Sequence, residues 1–223
     1  MRWRGVLAVA LAVVAVNWIA GNPTRLVDSG LFGTAGGGPI PAEVAFTLSF
    51  LLLGVIPALT SKHLLSRSPR ELGLGLGDYK AGLFLLAVGV PVAIVAAYIG
   101  AGSPAIATEY PLGNGLSRSL PVFLPYVIFY GVYYLGFEYL YRGYLLLGLA
   151  ERLGSVRVNL LQSVIATAAH IGKPPVELIS AFPASLAFGW VALRTKSIWY
   201  ALLLHWIVGA VMDWLLLGAQ GAN

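Results

Sequence analysis

The sequence predicts an all-α fold, a polytopic transmembrane helical bundle of about seven spans, on three observations. Of 223 residues, 58% are hydrophobic and 10% charged, where a soluble domain of this length carries about a quarter charged residues. Mean hydropathy is +0.82. The apolar residues gather into runs near the ~20 residues that a helix needs to cross the hydrocarbon core. With so few polar side chains the outer surface must itself be apolar, so the solvent is lipid.

Seven candidate spans follow in order: 3–20, 41–60, 81–102, 120–149, 159–171, 178–193 and 197–217. In the first, Arg2 and Arg4 precede an apolar stretch from Val6 to Ala20 with Trp18 near its far end; it reads as a retained helix with an interfacial tryptophan rather than a cleaved signal segment. Gly- and Pro-rich stretches at 30–41 and 100–115 separate the early spans. The fifth and sixth are short for a crossing and read as tilted, re-entrant or partly interfacial. The 61–80 stretch carries the densest charge and reads as a solvated cytoplasmic connector. No internal repeat stands out.

The net charge of +5 does not point to nucleic acid, because the basic residues sit between apolar runs rather than on one face. With a cytoplasmic N-terminus, the inner loops hold Arg2, Arg4, Lys62, Arg67, Arg70, Lys80, Arg152, Arg157, Arg194 and Lys196. The outer loops then hold Arg25, Arg118 and Lys173. The positive-inside rule therefore predicts an integral multi-pass protein of the cell membrane, N-terminus in the cytoplasm and C-terminus outside. The absence of cysteine removes disulfides and thiolate chemistry from consideration.

Ionisable groups within spans are costly and mark functional sites by default. Five remain once loop charges are set aside: Glu138, Arg142, His170, His205 and Asp213. Glu138 and Arg142 are four residues apart, on one helix face; a buried ion pair pinning neighbouring helices is the plain alternative to a chemical role. His170 ends the fifth span just before Gly172-Lys-Pro-Pro175, whose prolines stop the helix. His205 and Asp213 are separated by about 12 Å of helix rise, so they can share a cavity wall but cannot both touch one ligand atom. Gly209, between them, leaves room for close approach. A carboxylate and an imidazole converging on water suit general-base hydrolysis, and a second imidazole can donate to a developing oxyanion. Two histidines and a carboxylate also suit zinc, though no His-Glu-x-x-His helix supports a metal. Transport is a third use of buried charge, and the lack of an inverted repeat argues against it.

The stretch Glu138-Tyr-Leu-Tyr-Arg142-Gly-Tyr, followed by His170 and then His205, resembles the CPBP family of intramembrane proteases, the CAAX prenyl endopeptidases and their bacteriocin-processing or Abi-type relatives. The resemblance covers residues 122–217. It divides the chain into N-terminal helices with their loop, 1–118, and a catalytic-type core, 119–223. The family motifs are Glu-Glu-x-x-x-Arg, Phe-x-x-x-His and His-x-x-x-Asn or Asp. Glu138 matches the second glutamate, Arg142 the arginine, and His170 and His205 the two histidines. The resemblance implies a glutamate-dependent endopeptidase that cleaves a membrane-associated peptide or protein, with no cofactor. Glu138 and His170 would activate water, Arg142 would orient Glu138, His205 would support the oxyanion, and Asp213 would hydrogen-bond nearby groups. Phe137 stands where the first glutamate is expected, Ala166 replaces the phenylalanine, and Gly209 replaces the Asn or Asp. The two lost polar groups leave a catalytically inactive, partner-binding member of the family as the alternative.

Overall fold

The computed structural model describes residues 2–21, 40–112 and 115–220. Among these residues there are eight helices and no strand: α1 (Trp3–Ala20), α2 (40–64), α3 (Tyr79–Ala101), α4 (Pro104–Glu109), α5 (Leu120–Leu153), α6 (Ser155–Ala168), α7 (Pro175–Thr195) and α8 (Trp199–Gln220). Most of the 30–41 connector, and Arg25, lie outside the described residues.

Local chemistry sets the boundaries. The Asp78 carboxylate caps α3 by accepting from the Ala81 N–H at 3.0 Å, and it also pairs with Arg194 at 2.7 Å. Pro174 and Pro175 start α7, where a missing N–H costs nothing, and Lys196, with a positive φ of 57°, ends it. The second half of α5 is buried on all sides, from Gly136 through Leu149, the condition that suits a helix apolar all round. It forms the axis of the main core, against Val6 and Ala10 of α1, Leu53 of α2, and Ile198 before α8. α3 is peripheral, with Leu83, Phe84, Val88, Val92 and Ile99 exposed; in a bilayer these side chains face lipid.

Among the described residues six helices are long and apolar enough to cross a membrane: α1, α2, α3, α5, α7 and α8. The remaining candidate, α6, has 14 residues and so rises only about 21 Å. It nevertheless runs from one end of the bundle to the other. At one end the Arg2 N–H donates to Leu64 O, Arg67 pairs with Glu151, and Arg194 with Asp78. At the other, Trp18 Nε1 donates to Ile171 O at 3.0 Å, Lys173 pairs with Glu109 at 2.6 Å, and Arg118 Nε donates to Trp214 O. α6 begins just after Glu151 and ends just before Ile171, so among the described residues it joins the six longer helices in running between the two ends of the bundle.

One expectation needs correction. The 61–80 stretch is not a wholly solvated connector: a wide turn at Arg70–Leu74 folds back, burying Leu72 and Gly73. The Ile198 N–H donates to Gly73 O at 3.0 Å, and Gly73, at φ +86°, leaves no room for a Cβ beside Ile198 and Leu147. The charged residues flank this apolar Leu-Gly-Leu step, which is what the core takes up.

Candidate active site

α5 carries the acid. It crosses α2 where Gly54 faces Gly136; a Cβ on Gly136 would lie 3.0 Å from Phe50 Cα. Directly after this crossing the helix widens through Tyr139–Leu147 into π-type hydrogen bonding, a distortion often found at functional sites. Glu138 is 0% and Arg142 1% exposed. Arg142 Nε lies 3.1 Å from Glu138 Oε2, and Glu138 Oε1 lies 2.8 Å from His205 Nδ1 on α8. A carboxylate only accepts, so Nδ1 carries the proton, and Nε2 is the ring nitrogen left to the cavity that His205 lines.

Arg142 is anchored from the other side. Its Nη2 donates to Ser185 Oγ at 3.2 Å, Ser185 Oγ donates to Gln162 Oε1 at 3.3 Å, and Gln162 Nε2 donates to Asn159 Oδ1 at 2.8 Å. This chain ties α5, α6 and α7 behind the acid. Sequence reading does not single out Ser185, Gln162 or Asn159, because uncharged polar residues on a helix carry no motif.

His170 approaches from the connection after α6. Its Nδ1–H donates to Ala166 O at 2.7 Å, which fixes the tautomer and leaves the Nε2 lone pair free. Burial pushes its pKa down to about 4, so the ring is neutral at neutral pH. Phe137 packs edge-on against both imidazoles, its ring centroid 6.2 Å from His170 and 5.3 Å from His205. The residue in the place of the first motif glutamate therefore does face the cavity, as an apolar wall.

The cavity has a volume of about 380 Å³. Aromatic residues dominate its depth: Phe46, Tyr130, Tyr133, Tyr134, Phe137 and Tyr141. Trp18, Glu109, Ile171 and Lys173 line its more exposed side, at the end of the bundle opposite the basic cluster. His170 and His205 both line it; Glu138 and Arg142 lie behind His205. The structure thus brings Glu138 and His205 into direct contact, with His170 across the same cavity. Asp213 is elsewhere: it is 0% exposed, outside the cavity lining, and accepts from Tyr126 O–H at 2.6 Å.

Two groups missed by sequence reading belong to this cavity. Glu177, in the first turn of α7, places Oε1 3.9 Å from His170 Nε2 and accepts from Tyr110 O–H at 2.8 Å. With the sixth span expected to begin at Leu178, Glu177 reads as a loop charge. Tyr134 packs against His205 at a tilt of 47°, with ring centroids 4.3 Å apart. A Cβ at Gly209 would collide with the Tyr134 hydroxyl and lie 2.9 Å from the Tyr130 ring, so the glycine of the third motif and this tyrosine are sterically matched. Among the described residues no group of three or more His, Asp or Glu has metal-binding geometry.

Comparison with known proteins now adds one finding. Residues 115–211 match the family model described as Rce1-like, type II CAAX prenyl endopeptidase. The matched stretch runs from just before α5 into α8 and contains Glu138, Arg142, His170 and His205, but not Asp213. No curated protein and no solved structure matches the chain.

Proposed function

We propose, from a chain whose residues 115–211 match the Rce1-like CAAX prenyl endopeptidase model, that it is an intramembrane endopeptidase hydrolysing a peptide bond of a membrane-associated substrate. The observation that carries the reading is that two imidazoles face one aromatic-lined cavity, one of them held by a buried glutamate–arginine pair.

The roles follow from the hydrogen bonds. His170 is the neutral acceptor whose Nε2 lone pair binds and orients the attacking water, which loses a proton to the base of the cavity. The water oxygen adds to the scissile carbonyl carbon, and the carbonyl oxygen gains negative charge. His205, its Nδ1–H on Glu138, turns Nε2 toward the cavity and stabilises that charge when Nε2 also carries a proton, the carboxylate balancing the added charge. Glu138 supplies its function through His205, and Arg142 holds the far carboxylate oxygen, as second partners do for reactive imidazoles. Collapse of the tetrahedral intermediate breaks the C–N bond, and the proton taken from water passes to the departing nitrogen. Asp213 is a positioning residue, fixing α8 to α5 through Tyr126.

The basic end of the bundle, with Arg2, Arg4, Lys62, Arg67, Arg152 and Arg194, faces the cytoplasm by the positive-inside rule. The rim of the cavity then opens on the opposite face of the cell membrane. The reconstituted chain should cleave a membrane-associated peptide, and Glu138→Ala, His170→Asn and His205→Gln should each lower turnover by at least ~100-fold, the size of a lost acid–base or oxyanion contribution. Undiminished turnover in all three variants would overturn the proposal.

A further inference from the structure

We infer that Glu177 is the carboxylate that activates water together with His170, supplying from the start of α7 the group that Phe137 lacks on α5. This rests on the endopeptidase reading and extends it to a residue outside the three motifs.

The geometry carries the inference. Glu177 Oε1 and His170 Nε2 are 3.9 Å apart, too far for a direct hydrogen bond. A water about 2.8 Å from each fits at the apex of that gap, donating one O–H to the carboxylate and one to the imidazole lone pair. Both residues line the cavity. Phe137, in the place of the first motif glutamate on α5, packs edge-on against both imidazoles and offers no carboxylate to the cavity. Glu138 is occupied by His205 and Arg142 behind the cavity wall. Among the described residues Glu177 is thus the carboxylate aimed at the His170 Nε2 lone pair.

The surroundings suit a working base. Tyr110 O–H donates to the same Oε1 that faces His170, fixing the rotamer, while Oε2 is buried with no hydrogen-bond partner. Lys173, the nearest cation, is drawn away to Glu109 at 2.6 Å and sits 4.9 Å over the Tyr110 ring. It offsets charge at the rim without neutralising Glu177 directly. His170 is a weak base by itself, since burial holds its ring well below the ordinary histidine value, and a carboxylate sharing the water compensates for that weakness.

In the step itself, one water O–H bond breaks and its proton goes to Glu177, while His170 Nε2 accepts the second hydrogen bond. The water oxygen forms a bond to the carbonyl carbon, whose π electrons move to oxygen. When the C–N bond breaks, the proton held by Glu177 passes to the amine nitrogen, so the products are a carboxylic acid and an amine and the enzyme is restored.

The test uses the full chain in nanodiscs and a quenched-fluorescent peptide with a farnesyl-cysteine three residues from its C-terminus. Glu177→Gln keeps the size and the acceptor for Tyr110 and removes the basicity. It should lower kcat at least 100-fold, leave KM within threefold, and reduce the acidic limb of the kcat–pH profile to the single ionisation of His170, with the thermal midpoint unchanged. Turnover within threefold of the parent overturns the inference. Should that variant denature, Glu177→Asp takes its place: it should lose at least tenfold in kcat while keeping the acidic limb, and undiminished kcat is again fatal. Where the parent chain does not cleave the peptide, the fault lies with the substrate or the endopeptidase reading. The ring ¹⁵N resonances of labelled His170 then decide, shifting between parent and Glu177→Gln if the two groups share a water, and staying fixed if they do not.

Discussion

Replacing Glu138 by alanine should be among the most damaging single changes outside the apolar core. The carboxylate is 0% exposed and its arginine partner 1%, so Glu138→Ala leaves a guanidinium buried with Ser185 Oγ as its nearest remaining polar partner. Breaking a buried pair by removing one member costs about 3–5 kcal/mol, mostly because an uncompensated charge stays inside. His205 loses its acceptor at the same time, a loss of about 1–3 kcal/mol that overlaps with the first rather than adding to it. Arg142→Met in the Glu138→Ala background removes the stranded charge and supplies apolar volume among Phe137, Tyr141 and Phe188, which the guanidinium now contacts. The double variant should therefore be more stable than Glu138→Ala by about 2 kcal/mol. Denaturant titration in mixed micelles, read by the fluorescence of the six tryptophans, measures all corners of the cycle. A Glu138→Ala cost below about 1 kcal/mol, or strictly additive effects, would refute the reasoning that the pair is buried and mutually dependent.

Two further outcomes are expected. Gly209→Asn, which restores the residue type of the third motif, should destabilise the bundle by about 1–3 kcal/mol through overpacking, because its Cβ collides with the Tyr134 hydroxyl and crowds the Tyr130 ring. Tyr134→Ala should relieve part of that loss, and thermal unfolding of the single and double variants checks both. His170 makes stability depend on pH: its folded pKa of about 4 lies below the ordinary value near 6.5, so the unfolded chain binds the proton more readily between these values. Stability is then fully present above about pH 6.5 and falls toward pH 4 by at most about 1.4 kcal/mol per unit. His170→Asn should flatten that slope in a denaturation series from pH 4 to pH 7.

Hydropathy made the membrane bundle legible, since a helix in lipid has to satisfy its backbone internally and so must be long and apolar. Six of the seven expected spans are long, apolar helices, and the seventh, α6, is shorter but makes the same traverse. Spacing also put Glu138 and Arg142 on one face, where the structure has them paired. What spacing could not convey is partnership across distant sequence: the carboxylate of Glu138 meets His205, 67 positions away, and Asp213 meets Tyr126, 87 positions away. Glu177 illustrates the limit most clearly. An acidic residue in the first turn after two prolines is ordinary helix chemistry, and only the packing of α7 beside the 169–174 connection turns it toward His170. The 61–80 stretch misled for the converse reason, because a short Leu-Gly-Leu step within dense charge leaves too weak a hydrophobic signal to mark a segment folded back onto the core.

Isotope incorporation tests the hydrolytic cavity most directly. The reconstituted chain would be incubated with a membrane-associated peptide in H₂¹⁸O and the fragments weighed by mass spectrometry. The account predicts a single ¹⁸O in the newly formed carboxyl group, and loss of that fragment in the chain carrying His170→Asn with His205→Gln. Fragments that form equally well in the doubly substituted chain would contradict it.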